Sequence, residues 1–160
     1  MGFWLLPGIV LAFFIGTIAV QKNHAEGMLP TSNQLQALQR GQIFVKYRDA
    51  VSVYLKNNPG FTGTVTASAL AAQGTSFSAD FLALAGNAIT ATGSNGRVIT
   101  CYAALPTGSL QEARNATGND ASLGMASGST WTSAAPGATA QPLATTVPNG
   151  AVVSVTQIGS

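Results

Sequence analysis

The sequence predicts an α+β protein: an N-terminal transmembrane helix, then an amphipathic helix packed on a small antiparallel β-sheet. Three observations support this prediction. They are an uncharged apolar run from Phe3 to Val20, an apolar stripe at helical spacing before Pro59, and alternating apolar and Thr residues after it. The predicted organisation is a transmembrane anchor at residues 1–21, a juxtamembrane linker at 22–31 and an α+β domain at 32–160.

Composition argues against some classes of partner. Hydrophobic residues make up 46% of the 160-residue chain and charged residues only 8%, against about 25% charged residues in an average domain. The formal net charge is +2, and the basic residues form no cluster. Because nucleic-acid interfaces usually carry a basic stripe, we expect no nucleic-acid partner. Cys101 is the single cysteine and therefore has no partner for an internal disulfide.

The apolar run is long enough to cross a membrane. It has 18 residues without a charged side chain, and as a helix it would span about 27 Å at roughly 1.5 Å per residue, close to the hydrocarbon thickness of a bilayer. We predict a membrane anchor with Trp4 at the headgroup level. The predicted anchor residues are Phe3, Trp4, Leu5, Leu6, Ile9, Val10, Leu11, Phe13, Phe14, Ile15, Ile18 and Val20.

Three alternatives to a retained anchor stay open. In the first, the run is a signal peptide cleaved after Thr17-Ile18-Ala19. In the second it is a buried core helix, and in the third a prepilin segment processed at Gly2-Phe3. No Lys or Arg precedes the run, and Pro7 stands where pilins carry a glutamate. The low charge content is typical of exported bacterial domains, so we expect a cytoplasmic N-terminus and a periplasmic C-terminal domain.

An amphipathic helix is predicted from Ser32 to the stretch Asn57-Asn58-Pro59-Gly60, with its N-cap among residues 31–33. Pro59 and Gly60 end it, and Lys56 suits the negative end of the helix dipole. Apolar residues at spacings of three and four form one stripe that we expect to face the sheet. The predicted core face is Ile43, Phe44, Tyr47, Val51, Tyr54 and Leu55, with Ala50 beside them.

The sheet is predicted from the alternating segments that follow. They are a short strand near Thr62–Thr66, a hairpin over Ala88–Leu105 that turns at Asn95-Gly96 with positive φ angles, and a final strand in GAVVSVTQI. We expect the final strand to lie inside the sheet because Val and Ile line it. The segment ASLGMASGSTWTSA is a possible hairpin around Ser127-Gly128, and APGATAQPLATTVPNG is predicted to be a loop.

Two short helical segments are predicted by capping residues. Ser109 and Glu112 have the spacing of a capping box, which predicts a helix over Leu110–Thr117. Asp80 precedes the apolar run FLALAG, and we expect it to cap a helical turn there.

Few side chains suggest acid–base chemistry. His24 is the only histidine, and no nucleophile or metal partner lies near it in the sequence. Asp49 is expected to pair with Lys46 on the helix, and Cys101 is expected to be buried in a strand. No phosphate-binding, dinucleotide-binding, nucleophile-elbow or zinc-protease motif occurs. We therefore expect a non-enzymatic protein with no cofactor, no metal and no small-molecule substrate.

The segment VKYRDAVSVYLKNNPGFTGTV, Val45 to Val65, resembles the PilM family of type IVb thin-pilus systems, which accompany conjugative plasmids and integrative elements. The chain size, the N-terminal apolar segment, the hairpin ITATGSNGRVITCYAAL and the ending VPNGAVVSV are also similar. This family is distinct from the actin-like cytoplasmic protein of the same name.

The resemblance implies an inner-membrane component of the pilus assembly apparatus, with a pilin-like layout and no catalytic residues. It would act by protein–protein contact with the membrane-bound pilus-assembly proteins or pilins, and both a monomer and an oligomer stay open. We expect the free edges of its sheet to accept a partner strand. Three rival functions stay open: a minor pilin-like subunit incorporated in or secreted with the fibre, a thiol enzyme that uses Cys101, and a secreted adhesin cleaved after Ala19.

Overall fold

The computed structural model describes residues 31–93 and 96–159. The predicted anchor at residues 1–21 and all but the last residue of the predicted linker lie outside this range. Within it, no helix is long and apolar enough to cross a membrane. The described residues from Gln36 onward form one compact unit.

The first element, α1, is the long helix predicted from the sequence and covers Ser32–Asn57. At its start, Gln34 N donates to Thr31 Oγ1 at 3.3 Å, and Thr31 N donates to Gln34 Oε1 at 2.8 Å. This reciprocal pair is a capping box, in which the first orphan amides of the helix find side-chain acceptors. At the other end, α1 stops before Pro59, as predicted.

Five antiparallel strands form one sheet, so the α+β prediction is confirmed. The strands are β1 (Ala85–Thr92), β2 (Gly96–Ala103), β3 (Leu123–Ser133), β4 (Ala140–Val147) and β5 (Val152–Ile158), in the order β1-β2-β5-β3-β4. Two short helices, α2 (Ala67–Ala72) and α3 (Ala79–Leu82), lie between α1 and β1, and a third, α4 (Ser109–Ala116), connects β2 to β3. The final strand therefore lies inside the sheet, as its apolar lining predicts.

The larger core lies between α1 and one face of the sheet. On the predicted core face of α1, Phe44, Tyr47, Val51 and Leu55 are buried, whereas Ile43 and Tyr54 are partly buried against them. The sheet contributes Ile89, Ile99, Cys101, Ala103, Leu123 and Val152. The remaining surface of α1 is not uniformly polar, because Leu38 and Val53 are 37% and 48% exposed.

A second core lies on the opposite face, where the sheet curls over itself. It consists of Ala126, Trp131, Val147, Ala151 and Val153, with Tyr102, Leu143 and Val155 packed against it. Because successive residues of a strand point to opposite faces, Val152 and Val153 of β5 enter different cores. The strand β5 is thus buried on both sides.

The curl originates in a bend of β3. Its first residues pair with β5 and its last residues with β4, with a shift of register between Gly128 and Thr130. The two ends meet, because Ala134 N donates to Leu123 O at 2.8 Å. Gly128 has φ +63 and lies in the bend. The segment predicted as a possible hairpin around Ser127-Gly128 is therefore a single bent strand.

The strand predicted near Thr62–Thr66 does not form as a strand. Only Gly63 makes a bridge, with Ile89 of β1. Further along, the buried side chain of Asn87 replaces a strand partner: Val65 N donates to Asn87 Oδ1 at 2.7 Å, and Asn87 Nδ2 donates to Val65 O at 2.9 Å. Because the side-chain amide of Asn87 already pairs with the N–H and C=O groups of Val65, this residue can be buried without a neighbouring strand.

One loop prediction was also wrong, and the predicted hairpin of β1 and β2 forms with Gly96 in a strand and not in the turn. The segment expected to be a loop contains β4, whose half-exposed Thr and Gln residues hide its alternation. In the hairpin of β1 and β2, Gly96 begins β2 opposite Thr92, and the positive φ belongs to Gly93, at +63. Asn95 lies outside the described residues.

The predicted caps of the short helices are displaced. Gly108 is the N-cap of α4, in a left-handed conformation with φ +94, and Ser109 is fully buried inside the first turn. The predicted capping box of Ser109 and Glu112 is therefore wrong. At α3 the N-cap is Ser78, whose hydroxyl accepts from Phe81 N at 3.4 Å, and Asp80 lies within the first turn.

Candidate interaction surface

The titratable side chains of the domain do not gather into a reactive cluster. Within residues 31–93 and 96–159, no group of three or more His, Cys, Asp or Glu side chains is placed to hold a metal ion. His24 lies outside the described residues. Asp49 pairs with Arg48, at 3.0 Å, and not with Lys46 as predicted.

Arg48 ties α1 to the segment that leads into β3. Its Nη1 donates to Asp120 Oδ2 at 2.7 Å, and Ser122 N donates to Asp120 Oδ1 at 2.9 Å. Partial burial opposes ionisation of Asp120, but the hydrogen bonds from Ser122 and the Arg48 guanidinium outweigh it and lower the pKa of that carboxyl. Asp120 is therefore held as a charged, hydrogen-bonded anchor for α1.

Cys101 is buried in β2, as predicted, with no exposed surface. Burial raises the pKa of its thiol to about 12, because a thiolate would be desolvated there. Burial also raises the pKa of Tyr47 to about 12, an effect that the hydrogen bond from Asn87 opposes. Both groups are therefore protonated at neutral pH.

A groove lies between α4 and the curled part of the sheet. Its volume is about 370 Å³, near the lower end of the roughly 300–1,000 Å³ of ligand clefts. One wall comes from α4 and the loop before it, and the other from β3 and β5. The lining residues are Pro106, Thr107, Gly108, Leu110, Gln111, Arg114, Met125, Ala134 and Val152.

The α4 wall is fixed in place by close packing on α1. A Cβ atom at Gly41 would lie 2.6 Å from Ser109 O and 2.9 Å from Ala113 N, so only glycine allows this approach. The adjoining loop turns at Gly108, where a Cβ would lie 3.3 Å from Ala37 Cβ. The backbone of this wall is thus set by small residues on α1.

The opposite wall is fixed by the bend of β3. A Cβ atom at Gly124 would overlap the carbonyl oxygen of Thr132, so the two ends of the strand meet only because Gly124 has no side chain. Ser133 Oγ donates to Ala121 O at 2.6 Å and holds the same closure. Met125, the residue after Gly124, then extends into the groove wall with 42% of its surface exposed.

The groove is apolar with a single positive charge. Leu110, Met125, Ala134 and Val152 supply its apolar lining, and Arg114 is the only charged residue in it. Nε of Arg114 is buried and has no hydrogen-bond partner among the described residues. A buried donor without an acceptor is unfavourable, and no acidic residue in the groove lining offsets the charge of Arg114.

A second, smaller concavity of about 240 Å³ lies beside α1. Its lining contains charges of both signs, Lys46 and Asp49, together with the exposed side chain of Val53. Charges of opposite sign leave this surface without a clear electrostatic preference.

The edges of the sheet are poorly suited to strand addition, contrary to expectation. The edge strand β4 contains Pro142, which lacks an amide hydrogen. At the other edge, Gly63 exchanges two hydrogen bonds of 2.8 Å with Ile89, and Asn87 holds Val65 alongside β1. Natural proteins protect edges by such means, so the groove is the stronger candidate for an interaction surface.

These features define an α+β domain in which one long helix packs on a curled five-stranded sheet and a rigid apolar groove lies at its side. The family model of PilM matches residues 10–155. The chain belongs to the PilM family, which confirms the resemblance found in the sequence and ties the chain to a pilus-related system.

A solved structure shows the same fold. The crystal structure of a protein designated PilM from Escherichia coli B7A is similar with a TM-score of 0.58 and 14% sequence identity, over 81% of this chain and 98% of that one. At this identity the similarity concerns the fold alone. A comparison with curated proteins gave no match.

The groove was not predicted from the sequence. Its lining comes from the α4 segment, β3, the residue after β3 and β5, so that residues far apart in the chain meet only after β3 has bent. The one local signal was the pair Leu110 and Arg114, which lie one helical turn apart and therefore on one side of α4.

Proposed function

We propose that this chain is a non-enzymatic component of type IVb pilus assembly, held in the inner membrane by residues 3–20, with its α+β domain in the periplasm. It acts by protein–protein contact. The observation that carries the proposal is membership of the PilM family over residues 10–155, a match that begins within the apolar run.

The surface of the domain supports a role in contact. The groove has rigid walls, an apolar lining and one cation, which are features of a site that orients a partner segment. Two of the described carboxylates, those of Asp49 and Asp120, are engaged in ion pairs with Arg48, and the Cys101 thiol is protonated and inaccessible. These groups have structural roles that account for them.

The test is a deletion of the gene in a strain that assembles the pilus, complemented by the full chain. We expect the deletion to abolish sheared pili and the full chain to restore them, with the chain itself in the inner-membrane fraction. A matched control is the chain carrying Lys46→Gln, an exposed change away from the groove, which should complement fully. Normal piliation of the deletion strain would contradict the proposal.

The same strains distinguish an assembly component from a minor pilin-like subunit of the fibre. That alternative predicts that the chain is recovered within the sheared fibres, at a constant ratio to the major pilin. An assembly component stays with the membrane after shearing. Recovery of most of the protein in the sheared fraction would therefore contradict the assembly role and support a role as a subunit of the fibre.

A further inference from the structure

We propose that the groove between α4 and β3 binds an apolar segment of another pilus protein that carries one Asp or Glu side chain, with the carboxylate paired to Arg114. The inference rests on the proposed function, since it specifies what the contact surface of the domain recognises. It commits to an acidic side chain within a segment of a second protein.

The positive charge of the groove is unbalanced. Among the described residues both ion pairs involve Arg48, so no carboxylate pairs with Arg114, not even that of Glu112 on the same helix. No acidic residue lines the groove. Arg114 presents a buried Nε with no partner among the described residues. A carboxylate is the acceptor that matches a guanidinium best, because it takes two parallel N–H donors.

The start of α4 adds to the same preference. The N-cap Gly108 has no side chain and makes no capping hydrogen bond, so the first amides of α4 receive no side-chain acceptor. Gly108, Leu110 and Gln111 belong to this first turn and line the groove. The positive end of the helix dipole therefore lies at the groove and also favours a negative charge.

The apolar residues of the groove favour apolar side chains on either side of that carboxylate in the bound segment. Leu110 lies one turn before Arg114 on the same side of α4, and Met125 faces them from β3. Methionine adapts its shape to different apolar side chains. An isolated anion would gain nothing from these contacts, whereas an apolar segment that contains an acidic residue satisfies both parts of the groove.

The experiment is photocrosslinking in cells that assemble pili, with the full chain carrying benzoylphenylalanine at Met125. Leu84 is a matched control position, because it is 40% exposed against 42% for Met125 and lies outside the groove. We expect an adduct from position 125 and not from position 84. The crosslinked peptide, identified by mass spectrometry, should contain Asp or Glu flanked by apolar residues.

Charge variants test the role of Arg114. Arg114→Gln should lower the adduct yield at least about tenfold, since the carboxylate of the partner segment loses its cation, and Arg114→Lys should retain part of it. Gln111→Glu is a second variant that leaves the packing unchanged, because Gln111 is exposed; its negative charge should also lower the yield. Arg114→Glu combined with Asp→Lys or Glu→Lys in the captured segment should restore the adduct.

Several results would overturn the inference. They are the absence of an adduct at position 125 in piliated cells, an adduct that persists in both Arg114→Gln and Gln111→Glu, a captured segment without an acidic side chain, and capture of a second copy of this chain. Loss of pili on deletion of the gene, together with any of these results, would leave the proposed function standing. Normal piliation of the deletion strain would instead contradict the proposed function.

Discussion

Asn87 joins three parts of the domain through one side chain. Its amide exchanges two hydrogen bonds with Val65 and donates a third, at 2.7 Å, to the hydroxyl of Tyr47 on α1. Every donor and acceptor in this arrangement is buried, so removal of the amide leaves several groups unsatisfied at once.

Asn87→Ala should therefore lower the free energy of unfolding by about 3 kcal/mol, since each buried group left without a partner costs about 1–3 kcal/mol. Urea denaturation of the full chain measures this change. Asn115→Ala removes an exposed amide of the same type from α4 and should change the stability by less than about 0.5 kcal/mol. Equal effects of the two substitutions would contradict the structural role of Asn87.

Two buried groups make the domain sensitive to alkaline pH. Cys101 and Tyr47 both have a pKa of about 12 in the folded chain, against ordinary values of 9.0 and 10.0. At pH values between the ordinary pKa and the folded-state pKa of each group, the folded chain binds more protons than the unfolded chain. The free energy of unfolding should thus be unaffected below about pH 9 and fall as the pH rises toward 12, by at most about 1.4 kcal/mol per pH unit for each proton.

Melting temperatures measured from pH 7 to 11 check this prediction. Cys101→Ala removes the group that titrates first on unfolding, so the decline should begin about one pH unit higher in that variant. A decline that begins at the same pH in both chains would show that another group is responsible.

At the scale of elements, the contact of α1 with α4 depends on one missing side chain. Gly41→Ala places a methyl group 2.6 Å from Ser109 O. An alanine in a helix interior is ordinarily favoured over glycine by up to about 1 kcal/mol, but overpacking of this kind costs about 1–3 kcal/mol. We expect a net loss of stability in urea denaturation and a lower yield of any adduct formed in the groove.

Gly60→Ala is the matched control for that substitution. A Cβ atom at Gly60 meets nothing within 4 Å, and its φ is not in the left-handed range. Stability equal to or slightly above that of the original chain is expected, because the unfolded chain loses freedom. Stabilisation by Gly41→Ala as well would mean that α4 does not lie as close to α1 as described.

At the scale of the whole molecule, β5 supports both cores. Val152→Ala and Val153→Ala remove buried side chains that point to opposite faces, and each should lower the free energy of unfolding by about 1–3 kcal/mol. Val53→Ala, on the exposed side of α1, should have little effect. If only Val152→Ala is destabilising, the core on the curled side contributes little to stability.

The sequence predicts those parts of the fold that are determined by neighbouring residues. The stripe from Ile43 to Leu55 predicts α1, and the apolar lining of GAVVSVTQI predicts an inner strand. β4 escapes prediction because Pro142 and its exposed polar residues resemble a loop. Three further features depend on contacts between residues far apart in the chain. They are the hydrogen bonds of Asn87 that replace a strand partner, the use of Gly108 and not Ser109 as the N-cap of α4, and the groove itself. A long-range arrangement leaves no periodic signal in the chain.

The strand order β1-β2-β5-β3-β4 has a consequence for the order of events during synthesis. The strand that joins the two halves of the sheet, β5, follows all its partners along the chain, so the halves stay unjoined until Ile158 has left the ribosome. Chains caught before that point expose the open sides of β2 and β3, which are aggregation-prone edges. We expect chains that end before β5 to aggregate more readily than the full chain.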